Sequence, residues 1–151
     1  GMSDAHIFQN ANYIIVPEQH NSEEAISWLE SLALALGCKH TVRVTPAEHD
    51  ATIAYTSNLP HVTAVALMDS ASFNDKTRYF VAGSFRDGTR VADINPELWS
   101  NLFLANKEKV ADEIDRYMEQ LTLWRDALRS GDGEQLKALM RTAGERRREL
   151  F

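Results

Sequence analysis

At 151 residues the chain is long enough to bury one proper core with a small appended unit, and 44% hydrophobic with 25% charged residues is an ordinary globular balance. A formal net charge of -6 excludes a nucleic-acid surface of the usual kind, because phosphate binding needs a basic face. No apolar run reaches the roughly 20 residues a bilayer span requires, and Cys38 alone cannot form an internal disulfide, so a cytoplasmic protein without a membrane partner is expected.

In chain order, Asn12–Pro17 (NYIIVP) is a short apolar run closed by proline, which suits a buried strand. Asn21 is the expected cap of a following helix, with Glu24 as its reciprocal partner, and Ile26, Leu29, Leu32, Ala33 and Leu36 recur at helical spacing until Gly37. His40–Pro46 alternates Val42 and Val44 with polar neighbours as a half-exposed strand does. Strand, helix and strand make one β-α-β unit, too small for a stable sheet by itself.

From Thr45 the helical signals dominate. Thr45-Pro46-Ala47-Glu48 is a capping box with proline at the first helical position, and its helix carries His49, Ile53 and Ser57 on one face. Pro60 either kinks one long helix or separates two, and Val62, Val65, Ala66 and Met68 continue the apolar stripe beyond it. Asn74–Arg78 is polar and loop-like, and Asn95-Pro96 opens what is expected to be the longest helix, reaching about Ser130 with Gly131 as its stop.

That helix repeats every seven residues: Val110, Tyr117 and Trp124 share one heptad position, and Ile114, Leu121 and Leu128 the other. A last helix, Glu134–Leu150, can fold back over this seam with Leu136, Leu139, Met140 and Ala143, and a second copy of the chain can take what remains. Both arrangements can hold at once. Arg146-Arg147-Arg148, flanked by Glu145 and Glu149, reads as a solvated helix end.

The chemistry concentrates in Gly83–Trp99, GSFRDGTRVADINPELW. Arginine presents a rigid fork of donors that fits a carboxylate, and Asp87 can orient the guanidinium of Arg90 from one helical turn away. Gly83 and Gly88 would let the backbone approach a ligand or take a positive φ. On spacing alone, an i, i+3 surface ion pair between Asp87 and Arg90 accounts for the same residues. His49-Asp50 lacks a second acid to complete a metal site, so a histidine bonded to backbone at a helix start is expected there. Cys38 follows a helix end, where the dipole disfavours a thiolate, and the glycines form no G-x-G-x-x-G or P-loop.

The order NYIIVP, capped helix, VTPAEHD, TSNLPH, GSFRDGTRVADINPELW and NLFLANKEKV resembles successive landmarks of the prephenate and arogenate dehydrogenases, from about Ile7 to Val110. The resemblance implies a mainly α fold: a helical dimerisation domain with long antiparallel helices at 47–151, preceded at 1–46 by a β-α-β remnant of a nucleotide-binding α/β domain. In that family an N-terminal Rossmann domain binds NAD or NADP, and the helical domain forms an intertwined dimer and part of the substrate pocket. The reaction is oxidative decarboxylation of prephenate to 4-hydroxyphenylpyruvate, on the route to tyrosine. The sequence begins downstream of the family's catalytic histidine segment, so the resemblance implies that this chain holds neither catalytic residue nor cofactor site and is inactive alone.

By the same resemblance, Arg90 is the arginine that grips a substrate carboxylate, Asp87 the aspartate that positions it, and Gly83 and Trp99 line the pocket. His61 matches the second histidine of the family's Ser-His-Leu-Pro-His element, whereas Asn58 stands where the first is common, and Ser84 replaces a frequent glycine. The partners implied are a second copy of the chain and a small aromatic acid: prephenate, arogenate or tyrosine. Two other readings are a stand-alone dimeric module that binds such an acid without catalysis, and a structural helical dimer whose pocket has decayed.

Overall fold

The computed structural model describes residues 6–151, and the chain divides into two compact units between Ser57 and Asn58. The first unit holds strand β1 (Asn12–Ile15), helix α1 (Glu23–Ala35), strand β2 (His40–Arg43) and helix α2 (Pro46–Ile53). The two strands pair in parallel with Asn12 opposite His40 and Ile15 opposite Arg43. Helix α1 is the crossover that a parallel pair requires, and it packs on both strands through the buried Ile26 and Ala33.

The start of α1 differs from expectation by one residue. Asn21 Oδ1 accepts from the backbone N–H of Glu18 at 2.8 Å, which closes a turn upstream, so the cap falls to Ser22, whose Oγ accepts from Ala25 N–H at 3.2 Å. Glu24 then lies too early to be the reciprocal partner. Gly37 does end α1, at φ +101, and a Cβ there would lie 2.7 Å from the Gln9 amide nitrogen. The Thr45–Glu48 capping box is complete: Thr45 Oγ1 accepts from Glu48 N–H, and the Glu48 carboxylate accepts from Thr45 N–H at 2.8 Å.

A π-helical turn, Ala54–Asn58, precedes helix α3 (Leu59–Met68). Its wider backbone spacing suits a segment in which Pro60, at the start of α3, has no N–H to place. The second unit continues with a 3-10 turn at Thr77–Tyr79, helix α4 (Gly83–Thr89), helix α5 (Pro96–Ala105), helix α6 (Lys107–Ser130) and helix α7 (Gly133–Leu150). The long helix expected from Pro96 to Ser130 is therefore two helices. Asn106, at φ -123 and ψ 30, leaves the helical region between them, and its N–H closes the last turn of α5 onto Phe103 C=O at 3.2 Å. Heptad periodicity began only at Val110, and nothing in it required the turns before Asn106 to be continuous.

Gly131 ends α6 in the left-handed region at φ 71, and Asp132 caps α7 by accepting from Gln135 N–H at 2.9 Å. So short a connection returns α7 against α6 as an antiparallel hairpin. The cover is partial. Val110 and Ala127 are buried and Ile114 and Trp124 half-buried, while Leu121 and Leu128 remain 50% and 64% exposed along the same seam. Among the described residues no helix is long and apolar enough to cross a membrane.

Candidate ligand site

All six residues singled out by the sequence lie in the second unit, on α3, α4 and the start of α5. Asn58 is the residue before α3 and His61 stands one turn later on the same face. The His61 ring lies on the Trp99 indole with centroids 3.8 Å apart and planes 30° from parallel, and Trp99 in turn meets Phe103 at 5.4 Å. Such offset contacts between flat rings hold an indole in one orientation and leave an apolar wall. Trp99 is placed by the cap of α5, where Asn95 Oδ1 accepts from Leu98 N–H at 3.1 Å and Pro96 fills the first turn.

Helix α4 packs on α3 and carries Gly83 at its start and Asp87 in its last turn, with Arg90 as the closing residue at φ -53. Gly83 and Gly88 take no positive φ, contrary to one expectation for them, and a Cβ on either would meet nothing within 4 Å. Nor does Asp87 pair with Arg90: both side chains are exposed, and no ion pair joins them among the described residues. An exposed i, i+3 pair offers only about 0.2–0.5 kcal/mol, too little to hold two free side chains together. Among the described residues the guanidinium of Arg90 forms no ion pair.

Asn58 is the opposite case. It is 4% exposed, and its Oδ1 is buried without a hydrogen-bond partner. Its side chain makes no cap bond to α3, the use an asparagine at a helix start usually has. Leaving such an acceptor unpaired costs about 1–3 kcal/mol.

The first unit holds a separate cavity of ≈ 350 Å³ between the sheet and α2, walled by Ile14, Val42, Val44 and Ile53 with His40 and His49 at its margin. The sequence reading did not anticipate it, since a concavity over a two-stranded sheet leaves no periodic signal. His49 Nδ1 lies 3.1 Å from Asp50 Oδ1, a side-chain partner in place of the expected backbone one, and the described residues contain no cluster able to hold a metal ion. Nor do the residues fit a dinucleotide: the single G-x-G spacing, Gly131 and Gly133, is followed by Leu136 where a third glycine would be needed.

The second unit is thus mainly helical, with a long antiparallel pair and a half-covered apolar seam, and the first is a parallel β-α-β segment followed by a helix. The chain matches the family described as "Prephenate dehydrogenase, dimerization domain" over residues 45–142, and it belongs to that family. It is 31% identical over 145 residues to the prephenate dehydrogenase of Bacillus subtilis (strain 168), covering 93% of this chain and 39% of that protein. With the cyclohexadienyl dehydrogenase of Zymomonas mobilis it shares 35% identity over 138 residues, covering 87% and 46%. The chain therefore spans less than half the length of these curated relatives.

Among solved structures, the arogenate dehydrogenase of Synechocystis superposes with TM-score 0.85 at 26% identity over 97% of this chain and 54% of that one. The prephenate dehydrogenase of A. aeolicus, solved with hydroxyphenyl propionate and NAD+, matches with TM-score 0.74 at 27% identity over 89% and 49%.

Proposed function

We propose that this chain is the C-terminal part of a cytoplasmic prephenate or arogenate dehydrogenase, supplying a substrate pocket and a homodimer interface for the route to tyrosine. The observation that carries the reading is the match to the dimerisation-domain family over residues 45–142. In this division of labour residues 1–46 finish a nucleotide-binding domain and 47–151 form the substrate-binding and dimerisation domain. Hydride acceptance by NAD or NADP belongs to the region of the relatives that this chain does not span, and the chain is inactive alone.

The chain's own residues bind and orient. Arg90 forms paired bonds to a carboxylate of the aromatic or cyclohexadienyl acid, and Asp87 steers that guanidinium when the ligand arrives. His61 and Trp99 wall the ring, Gly83 leaves the start of α4 open, and Asn58 meets a polar substituent. The apolar strip of Leu121 and Leu128 is covered by a second copy.

Mixing this chain with the nucleotide-binding half of a relative, in the presence of prephenate and NAD, should generate reduced nicotinamide by absorbance, whereas each part alone should not. Binding of prephenate or tyrosine with no turnover in the mixture would instead assign a stand-alone dimeric binding module. Failure to bind either acid would remove both readings.

A further inference from the structure

We propose that the flank of the first unit around β1 and Trp28 is the docking surface for a nucleotide-binding half, one parallel strand of which takes the outer edge of β1. The inference rests on the C-terminal reading above and names the surface which that reading needs. Among the described residues β1 and β2 form a sheet of two strands, so each keeps one outer edge. Val44 N–H donates to Ile15 C=O at 3.0 Å, so these two residues face each other across the sheet. By the alternation of a strand, Ile14 and Val16 turn their backbone to the outer edge of β1, and Thr41 and Arg43 turn theirs to the outer edge of β2. A parallel pair this small is marginal alone, and parallel sheets occur with both faces covered.

The two flanks of α1 show from which edge the sheet grows. Over β2, Glu23 and Glu30 bond Arg43, so this flank is charged and its carboxylates are engaged. Charge at a sheet edge guards against a further strand, and burying this cluster would cost its hydration. Over β1 the flank is apolar. A groove of ≈ 280 Å³ runs between Tyr13, Ile15 and Val16 on one side and Ala25, Ile26 and Leu29 of α1 on the other, with no residue of β2 in its lining. Ala25 and Leu29 also line an adjoining groove of ≈ 480 Å³ that reaches Trp28. Trp28 is 62% exposed, and Leu32 and Leu36, 38% and 42% exposed, extend its stripe at four-residue spacing. A tryptophan standing in water beside an apolar groove has the character of an interface anchor. More than half of each curated relative lies outside the region this chain matches, and in the proposed division of labour that remainder holds the nucleotide-binding sheet. A parallel strand with a helix beside it fits this edge and this stripe.

Amide hydrogen exchange on the whole chain, alone and mixed with the nucleotide-binding half of a relative, tests this. In the mixture the amides of Ile14 and Val16 should slow by about tenfold or more, while those of Thr41 and Arg43 should not. Trp28→Glu should weaken the association by about tenfold or more in calorimetry, and Arg43→Ala should leave it within about twofold. Leu32→Glu, on the same stripe, repeats the test should the first variant fail to fold. Association that neither stripe variant weakens, or protection at Thr41 and Arg43 in place of Ile14 and Val16, overturns the inference. Reduced nicotinamide formed in that same mixture would leave the proposed function standing. Protection of Ile14 and Val16 in the chain alone, rising with its concentration, assigns the edge to a second copy and also overturns the inference. No association overturns the inference and the reconstitution together.

Discussion

Arg43 and Arg90 are the same residue in two different settings, one in each unit. Arg43 sits at the end of β2 and donates from Nε and Nη2 to both oxygens of Glu30 at 2.6 and 2.7 Å, and from Nη1 to Glu23, so it joins the strand to α1. Those bonds raise the pKa of Arg43 and lower that of Glu30, for which the hydrogen bond from Arg43 is the largest cause, opposed by desolvation. Arg90 closes a short helix and pairs with no acid among the described residues, although Asp87 is one turn away. The contrast teaches that a guanidinium whose fork is filled by the chain's own carboxylates serves the fold. One whose fork takes no carboxylate among the described residues has no such duty in the fold.

The comparison can be broken most directly at its open end. Arg90→Ala should weaken binding of prephenate or tyrosine by about 2–4 kcal/mol, the scale of a charge-assisted pair, and move folding stability by less than about 0.5 kcal/mol. Calorimetry and a thermal melt of one preparation read both; unchanged affinity would end the assignment of Arg90. Next in size, Leu121→Asp places a charge in the exposed seam and should weaken self-association by about 2 kcal/mol, seen in sedimentation as a shift from dimer to monomer. A wild-type chain that is monomeric at micromolar concentration would already refute the interface.

Thr45→Ala removes one half of the capping box and should cost about 1 kcal/mol of stability without touching ligand affinity. At the closed end of the comparison, Arg43→Ala should lower the melting temperature slightly and leave affinity unchanged; a loss of binding there would erase the distinction between the two arginines.

Acid sharpens the same point. The carboxyls of Glu30 and Glu48 are both held below the ordinary value of 4.5, Glu30 by Arg43 and Glu48 by the backbone N–H and then the hydroxyl of Thr45. A folded pKa below the unfolded one gives stability that is complete above pH 4.5 and is lost as pH falls through the lowered folded values. Melting temperature should therefore decline on acidification below that point, and Glu48→Gln should flatten the decline. Asn58→Leu should not alter this profile, because no proton is taken up at an amide.

Much of this fold was open to reading from sequence because its signals are local. The Thr45–Glu48 box, the stops at Gly37 and Gly131, the cap at Asn95 and the heptads of α6 each depend on residues within a few positions, and backbone sterics and hydrogen bonding dictate their effect. Even local signals competed: Asn21 spent its side chain on Glu18, and Ser22 became the cap. The family resemblance likewise named Arg90, Asp87 and Trp99 as candidate site residues, with no information on their contacts. The break at Asn106, the burial of the Asn58 oxygen and the stacking of His61 on Trp99 were decided by tertiary structure. Each depends on which surfaces α3, α4, α5 and α6 press together, and neither periodicity nor composition carries information about contacts between residues so far apart along the chain.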